Sequence, residues 1–433
     1  MGDSGEISAR PSGRRPMMKR LAGRLAFALD TAFDLERLLV DGVRRDVSTA
    51  SRATDRAPAT DLRHLLVPTV GKGNIGDQAM FEAFLQSTTW PVTVLVGHGD
   101  GHEVPGHAVD RVRKVTMPEL FSTRPWIRHT IRRRLADLIA SHATLSIIGA
   151  DIMDGGYGSA EATIRIGMLC IGNEVGTPNR VLGFSWNGAP SGAVQRTLGL
   201  SQPNSLLCVR DPHSLARLRA EGNFNIAQTA DIVFTLRSVE PYEQIRPWLA
   251  AEAARSLVIV NVSGILARNG ARASEYVRII RHLVARECSV VVLPHVIRAG
   301  DDDLAACRAV TAQLGHSPHV HLVEDLLSPR QIAWLTAQAS AVLTGRMHLA
   351  ILALSQRVPP AVLSTQGKVS GLMELFEIPE LALEPEPGFA DSATAALDRI
   401  LDDPTIRVRV ERSLPHVRQL AVQNFSGLEE PPN

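Results

Sequence analysis

The strongest constraint in this sequence is an alternation. Short runs rich in Val, Ile and Leu take turns with helix-like stretches, and the series runs through the chain twice. In the first half, Leu62–Val70, Pro91–Val96, Thr144–Ile148, Val181–Trp186, Leu206–Val209 and Ile232–Phe234 read as strands. Helices fit from the loop after Val70 to about Ser87, over Trp126–Ser141 and over Ser214–Glu221. A stretch with Pro241 and Pro247, from Leu236 to about Arg255, reads as a linker. The pattern then restarts, with strands at Leu257–Val262, Val290–Pro294, Val320–Val323, Ala341–Thr344 and Ala361–Leu363. Between them Ser274–Arg286, Asp301–Leu314, Pro329–Ala339 and Met347–Gln356 have helical spacing. Strands that alternate with helices build parallel sheets covered on both faces. The expected fold is α/β: two Rossmann-like domains facing a cleft, at residues 61–240 and 255–385. An N-terminal extension precedes them at 1–60, and C-terminal helices and a tail follow at 386–433.

Composition narrows the function. With 46 Lys+Arg against 45 Asp+Glu the net charge is +1, and aromatic residues are 4%. Neither fits a protein built around nucleic acid, so no nucleic-acid partner is expected. Cys170, Cys208, Cys288 and Cys307 form no CxxC pair and read as buried thiols of a reducing cytosol. No apolar run approaches a membrane span. Arg20 and Arg24 interrupt the N-terminal hydrophobic stretch, so no signal peptide is expected and the location reads as cytoplasmic. Residues 1–16 have a disordered composition, and Met17 to about Asp46 has amphipathic spacing with a basic start at Arg14, Arg15, Lys19, Arg20 and Arg24. That segment has two readings: a helix packed or solvated beside the domain, or peripheral contact with an anionic membrane surface. Homo-oligomer formation stays open.

The candidate chemistry sits at strand ends. Gly73-Asn74-Ile75-Gly76-Asp77 joins a buried strand to a helix, where ligands bind in open parallel sheets. By itself it reads more readily as a tight turn with Asp77 in the first helical turn. Arg346 and His348 follow the strand Ala341–Thr344; one offers a planar fork for phosphate or carboxylate, the other a proton near neutral pH. Arg210 follows another strand, beside an Asp211 that suits a helix cap. His295 follows Pro294 at a third. His98, His102 and His107 mimic a metal cluster but read as a solvent loop, and no metal site is expected. Asp301-Asp302-Asp303 reads as helix N-terminal charge without a catalytic role. Arg124, Arg128, Arg132, Arg133 and Arg134 make one helix basic, as a solvated face or as an attractor of an anionic, lipid-linked acceptor.

Four stretches together resemble the polysaccharide pyruvyl transferase family: Gly73–Asp77, Val209-Arg210-Asp211-Pro212-His213-Ser214, Gly345-Arg346-Met347-His348 and Gly367-Lys368-Val369-Ser370-Gly371-Leu372. The resemblance implies a GT-B-like pair of domains, the first on the acceptor side and the second on the donor side. It implies no metal and no cofactor beyond phosphoenolpyruvate as co-substrate, and a sugar or lipid-linked glycan as acceptor. Two departures bear on the acceptor: acids interrupt the glycine-rich run Gly149–Gly158, and Ser364-Thr365-Gln366 lacks a family-like tyrosine. On this reading Arg346, Lys368 and Arg210 bind the donor's anionic groups, with Asn74, Gly76 and His295 beside them. His348 is the expected acid, His295 the second choice, and Asp77 or Asp151 the carboxylate that takes a hydroxyl proton. A nucleotide-sugar glycosyltransferase with Glu324 or Asp325 on the donor ribose is the alternative, and a silent scaffold of the same shape is another.

Overall fold

In the computed structural model, which describes residues 35–52, 61–97, 101–201, 203–268, 273–364 and 368–428, each series of alternating elements closes into its own parallel sheet. The first sheet takes β1 (Asp61–Val67), β2 (Val92–Val96), β3 (Val112–Thr116), β4 (His142–Ala150), β5 (Asn179–Phe184), β6 (Leu206–Val209) and β7 (Asn225–Gln228) in the order β3-β2-β1-β4-β5-β6-β7. The second takes β8 (Ser256–Val260), β9 (Cys288–Val292), β12 (Val320–Leu322), β13 (Ala341–Thr344), β14 (Pro360–Leu363) and β15 (Ala382–Leu383) in the order β12-β9-β8-β13-β14-β15. A hairpin of β10 (Ile297–Arg298) and β11 (Asp301–Asp302) follows β9. Both orders reverse direction next to the first strand of the series, which opens a crevice at the strands' carboxyl ends.

Helices α1 (Leu35–Ser51), α2 (Ile75–Ser87), α3 (Pro125–Ser141), α4 (Ser159–Glu174), α5 (Gly192–Leu200) and α6 (Pro212–Glu221) accompany the first sheet. Helix α7 (Arg246–Ala251) links the halves. Then α8 (Gly264–Arg268), α9 (Ala273–Ala285), α10 (Asp303–Leu314), α11 (Pro329–Ala337), α12 (Met347–Ser355), α13 (Lys368–Leu375), α14 (Phe389–Asp402) and α15 (Pro404–Val422) complete the chain. Helix α2 is apolar on nearly every side, from Ile75 and Ala79 to Phe84 and Leu85, and is buried accordingly. It packs on α11 and α12 of the second half, so one apolar core runs across both domains. A second core fills the other face of the first sheet. At the far end the chain returns to the first sheet. The Asn424 side chain accepts from Gly183 N at 2.8 Å and donates to the Ala230 carbonyl at 2.9 Å.

Several elements differ from expectation. Ile232–Phe234 is not a strand but part of a buried 3₁₀ turn, because the Asp231 carboxylate caps it by accepting from Val233 N at 3.0 Å. The stretch taken for a linker holds α7. Residues 1–34, with the basic start and most of the amphipathic segment, lie outside the described residues. Its last part, α1, runs on to Ser51 and packs against α3, α4 and α5, with Val40, Val43 and Ala50 buried. Helix α3 does not carry a uniformly solvated basic face, since Arg128 and Arg132 both donate to the buried Asp46 of α1.

Candidate active site

Carboxyl ends of strands from both sheets face one cleft of about 670 Å³. From the first domain, Asn74 arrives on the β1–α2 loop, Asp77 in the first turn of α2, Asp151 just past β4, and Arg210 just past β6. From the second come His295 and Arg298 after β9, and Arg346 with His348 at the start of α12. The domains meet here through backbone. Asn74 and Val296 form an antiparallel bridge, Ile75 N donates to the His295 carbonyl at 3.2 Å, and Ile297 N donates to Gly73 O at 2.7 Å.

Asn74 is the extended N-cap of α2, its side-chain oxygen accepting from Gly76 N at 2.9 Å. Gly76 is glycine for a reason of space. A Cβ there would lie 2.3 Å from Nδ1 and 2.6 Å from Cγ of His348, so this helix turn presses against the imidazole from the opposite domain. Asp77, one position on, is buried and accepts from Gly71 N at 3.2 Å. Burial raises its carboxyl above the ordinary range, and the charge of the nearby His348 pulls the other way.

The other side of His348 meets Asp231, with Nε2 3.6 Å from Oδ2. Burial alone would raise the Asp231 carboxyl. The His348 imidazole and the Arg210 guanidinium outweigh that and hold it down to about 2. Arg210 donates to Asp231 at 2.7 Å and to the Ser185 hydroxyl at 2.8 Å, both within a buried cluster. Asp211 caps α6 by accepting from Ser214 N at 2.8 Å. It also stands against Gly371, where a Cβ would come within 2.8 Å, so two of the four recognised stretches pack on each other.

Arg346 is held by two carboxylates. It grips Asp301 with Nη1 at 3.0 Å and Nη2 at 2.5 Å, and Asp303 with Nη2 at 2.5 Å and Nε at 3.2 Å. Burial would lower its pKa, but this double ion pair raises it. Asp303, fully buried, further accepts from Gly264 N at 2.7 Å, Asn261 Nδ2 at 3.0 Å, and the backbone of His295 and Val296. The expectation for Asp301-Asp302-Asp303 is thus corrected: only Asp302 caps α10, while its two neighbours fix the arginine. The reach between them is supplied by the hairpin, which also brings Arg298 to the cleft.

His295 is 1% exposed and neither ring nitrogen has a hydrogen-bond partner among the described residues. Burial, then the charges of His348 and Arg346, push its pKa well below 6.5, so it is a neutral imidazole. Lys368 opens α13, and its side chain lies outside the described residues. Of the histidines read as a solvent loop, His98 lies outside them too. His102 is buried instead, stacked on Phe81 at 4.8 Å with Nε2 3.2 Å from the Thr69 carbonyl. Glu324 is paired with Arg308 and Asp325 accepts from the Tyr242 hydroxyl at 2.7 Å; neither lines the cleft.

The cleft therefore joins Asn74, Gly76, Asp77, Asp151, Arg210, His295, Arg346 and His348. Arg298 and Asp301 also line it, and the buried Asp231 and Asp303 support His348 and Arg346 from behind; sequence reasoning missed all four. An Asp directly before an apolar triplet is a capping signal that points to Asp231, and Arg298-Ala299-Gly300-Asp301 has the glycine of a tight hairpin. Chemically, the site offers an imidazole beside a carboxylate, a second buried carboxyl, and three guanidinium groups, each already facing a carboxylate: Arg210 on Asp231, and Arg298 and Arg346 on Asp301.

A family model described as polysaccharide pyruvyl transferase matches residues 74–367. No curated protein matches the chain. Solved structures give the same architecture at low identity. A putative UDP-N-acetylglucosamine 2-epimerase from Listeria monocytogenes is 12% identical with a TM-score of 0.57, covering 87% of this chain and 99% of its own. A UDP co-structure of MnaA from S. aureus is 12% identical at 0.59, covering 86% and 99%. The spinosyn forosaminyltransferase SpnP is 13% identical at 0.51, covering 85% and 98%. These likenesses show two Rossmann-like domains in the GT-B arrangement.

Proposed function

Because the chain belongs to the polysaccharide pyruvyl transferase family, and so to a family of transferases, we propose that its cleft moves the enolpyruvyl group of phosphoenolpyruvate to hydroxyls of a sugar or glycan. The observation that carries this reading is His348, held between Gly76 of one domain and Asp231, in a cleft that also gathers Arg210, Arg298 and Arg346. A phosphate and a carboxylate need several donors at once, and guanidinium forks match both. Lys368 belongs to the same donor set on this reading.

The reaction starts with a proton to carbon. His348, beside the Asp231 carboxylate, gives a proton to the methylene carbon, and the double-bond electrons form the new C–H bond. An acceptor hydroxyl attacks the electron-poor C2 and forms a C–O bond. Its proton passes to Asp77 or Asp151; a carboxyl raised by burial, as in Asp77, is the stronger base. Phosphate leaves with the electrons of its bond to C2. A second hydroxyl attacks the same carbon, closes the ketal, and returns a proton to the imidazole. His295, being neutral, serves as a hydrogen-bonding wall rather than the proton source.

Thermal denaturation of the purified protein tests donor choice. A hundredfold excess of phosphoenolpyruvate over its Kd stabilises the native state by about 2.7 kcal/mol. A panel of UDP-sugars is expected to give no shift, since neither Glu324 nor Asp325 reaches the cleft. His348→Ala is expected to slow phosphate release in an acceptor screen by about 10²–10⁴-fold, to a small residual rate. Full turnover in that variant, or stabilisation by a nucleotide sugar alone, would overturn the assignment.

A further inference from the structure

The outer face of the first domain carries a second concavity, of about 490 Å³, between α1 and α3, and it shares no lining residue with the cleft. Arg44, Arg45 and Arg52 line it from one helix, and His129, Arg132 and Arg133 from the other. The remaining lining residues are Ser48 and Thr49, both hydroxyl donors, and no carboxylate is among them.

Like charges crowded into one groove repel unless something offsets them. Two of the arginines are offset within the fold: Arg132 donates to buried Asp46 at 2.5 Å, and Arg44 to Asp41 at 3.2 Å. Asp46 is shared with Arg128, so one carboxylate serves two cations. Arg45, Arg52 and Arg133 are exposed and have no carboxylate partner among the described residues. The tie through Asp46 holds the helices side by side and keeps this unbalanced charge together. Guanidinium groups so placed match phosphate oxygens.

Two exposed apolar groups stand outside the groove's lining but on the same helix faces as its arginines. Leu38, Arg45 and Arg52 recur at heptad spacing along α1, and Trp126, His129 and Arg133 follow helical spacing along α3, so each set shares one helix face. Leu38 is 47% and Trp126 68% exposed. A soluble phosphate has no use for an exposed leucine and tryptophan. A membrane does: tryptophan settles at the headgroup level, and arginines meet the phosphates of acidic lipids.

We propose that this groove docks the protein on membranes bearing acidic phospholipids, with lipid phosphodiesters on Arg45, Arg52 and Arg133 and with Leu38 and Trp126 at the headgroup boundary. Among the described residues no helix is long and apolar enough to cross a membrane, so the contact is peripheral. The inference stands apart from the chemistry assigned to the cleft.

The test uses the full chain and sedimentation with two vesicle types: phosphatidylcholine alone, and equal parts phosphatidylcholine and phosphatidylglycerol. Binding is expected only to the second and is weakened by salt. The triple variant Arg45→Gln/Arg52→Gln/Arg133→Gln is expected to lower the partition coefficient by about a hundredfold. Trp126→Ala lowers it further, and in the wild type Trp126 fluorescence shifts to the blue on binding. Arg219→Gln/Arg281→Gln/Arg357→Gln removes the same charge from exposed positions elsewhere and is expected to bind almost as wild type. All six positions are exposed, so melting curves of both variants serve as the folding check. Equal losses in the two triple variants would reduce the effect to net charge and overturn the site. Titration with inorganic diphosphate covers the soluble ligand: saturable binding of diphosphate without vesicle binding overturns the membrane assignment, as does vesicle binding that ignores phosphatidylglycerol.

Discussion

Gly76→Ala isolates the contact between domains at the imidazole. The added Cβ would stand 2.3 Å from His348 Nδ1, whereas ordinary contact begins near 3.4 Å, so the ring has to retreat by about 1 Å. Displacement of a catalytic group by about that distance costs on the order of a hundredfold in rate, or about 2.7 kcal/mol of barrier. Stability follows a different course. Gly76 lies in the first turn of α2, where alanine gains up to about 1 kcal/mol over glycine, against about 1–3 kcal/mol for overpacking. The melting temperature is therefore expected to move by only a few degrees while turnover collapses. Phosphate release with an acceptor that supports turnover measures the first, and thermal denaturation the second. The decisive comparison is the double variant. If the methyl group acts through His348, Gly76→Ala costs nothing further in a His348→Ala background. An undiminished rate in the single variant, or the same hundredfold loss with the imidazole already gone, refutes the reasoning.

Two further predictions concern the supports of the site. Asp303→Ala leaves Arg346 half-paired and strips several buried donors of their acceptor, so unfolding in urea is expected to reveal a loss of about 3–5 kcal/mol. Asp302→Ala beside it removes only a helix cap, worth about 1 kcal/mol; equal losses would contradict the separate roles given to them. His64, buried and stacked on Trp90, has its pKa lowered to about 4 by burial. The unfolded chain then binds the extra proton between about pH 6.5 and 4, so this contribution is complete above that window and is lost as pH falls through it. It amounts to about 3 kcal/mol, and the unfolding free energy of His64→Gln is expected to fall less steeply over the same range.

Much of this was legible in the sequence, and the parts that were not share a cause. Strands buried on both faces, such as Val290–Val292 and Ala341–Thr344, announce themselves as continuous apolar runs. The edge strands Val112–Thr116 and Asn225–Gln228 mix polar and charged residues with apolar ones and pass for loops. Ile232–Phe234 misleads the other way, because a buried turn and a buried strand have the same composition. The cleft residues that end strands, Arg210, His295 and Arg346, were visible because topology alone sends strand ends to a crevice. Asp301 and Asp303 were not, since their helix position has a sufficient local explanation and only the folded chain brings Arg346 to them. Asp231 was hidden for the same reason: its partner His348 comes from the other domain.

The short backbone bridge between Asn74 and Val296 has an evolutionary consequence. Its hydrogen bonds join Ile75 to His295 and Ile297 to Gly73 through main-chain atoms alone. Asn74, Ile75, His295, Val296 and Ile297 supply those atoms whatever their side chains, but Gly73 has φ +77° and a Cβ there would lie 2.2 Å from the Ile297 carbonyl, so the seam tolerates substitution except at its glycine. On the function proposed for the cleft, substitutions elsewhere in the first domain would alter acceptor preference while His348 and Arg346 of the second keep their place.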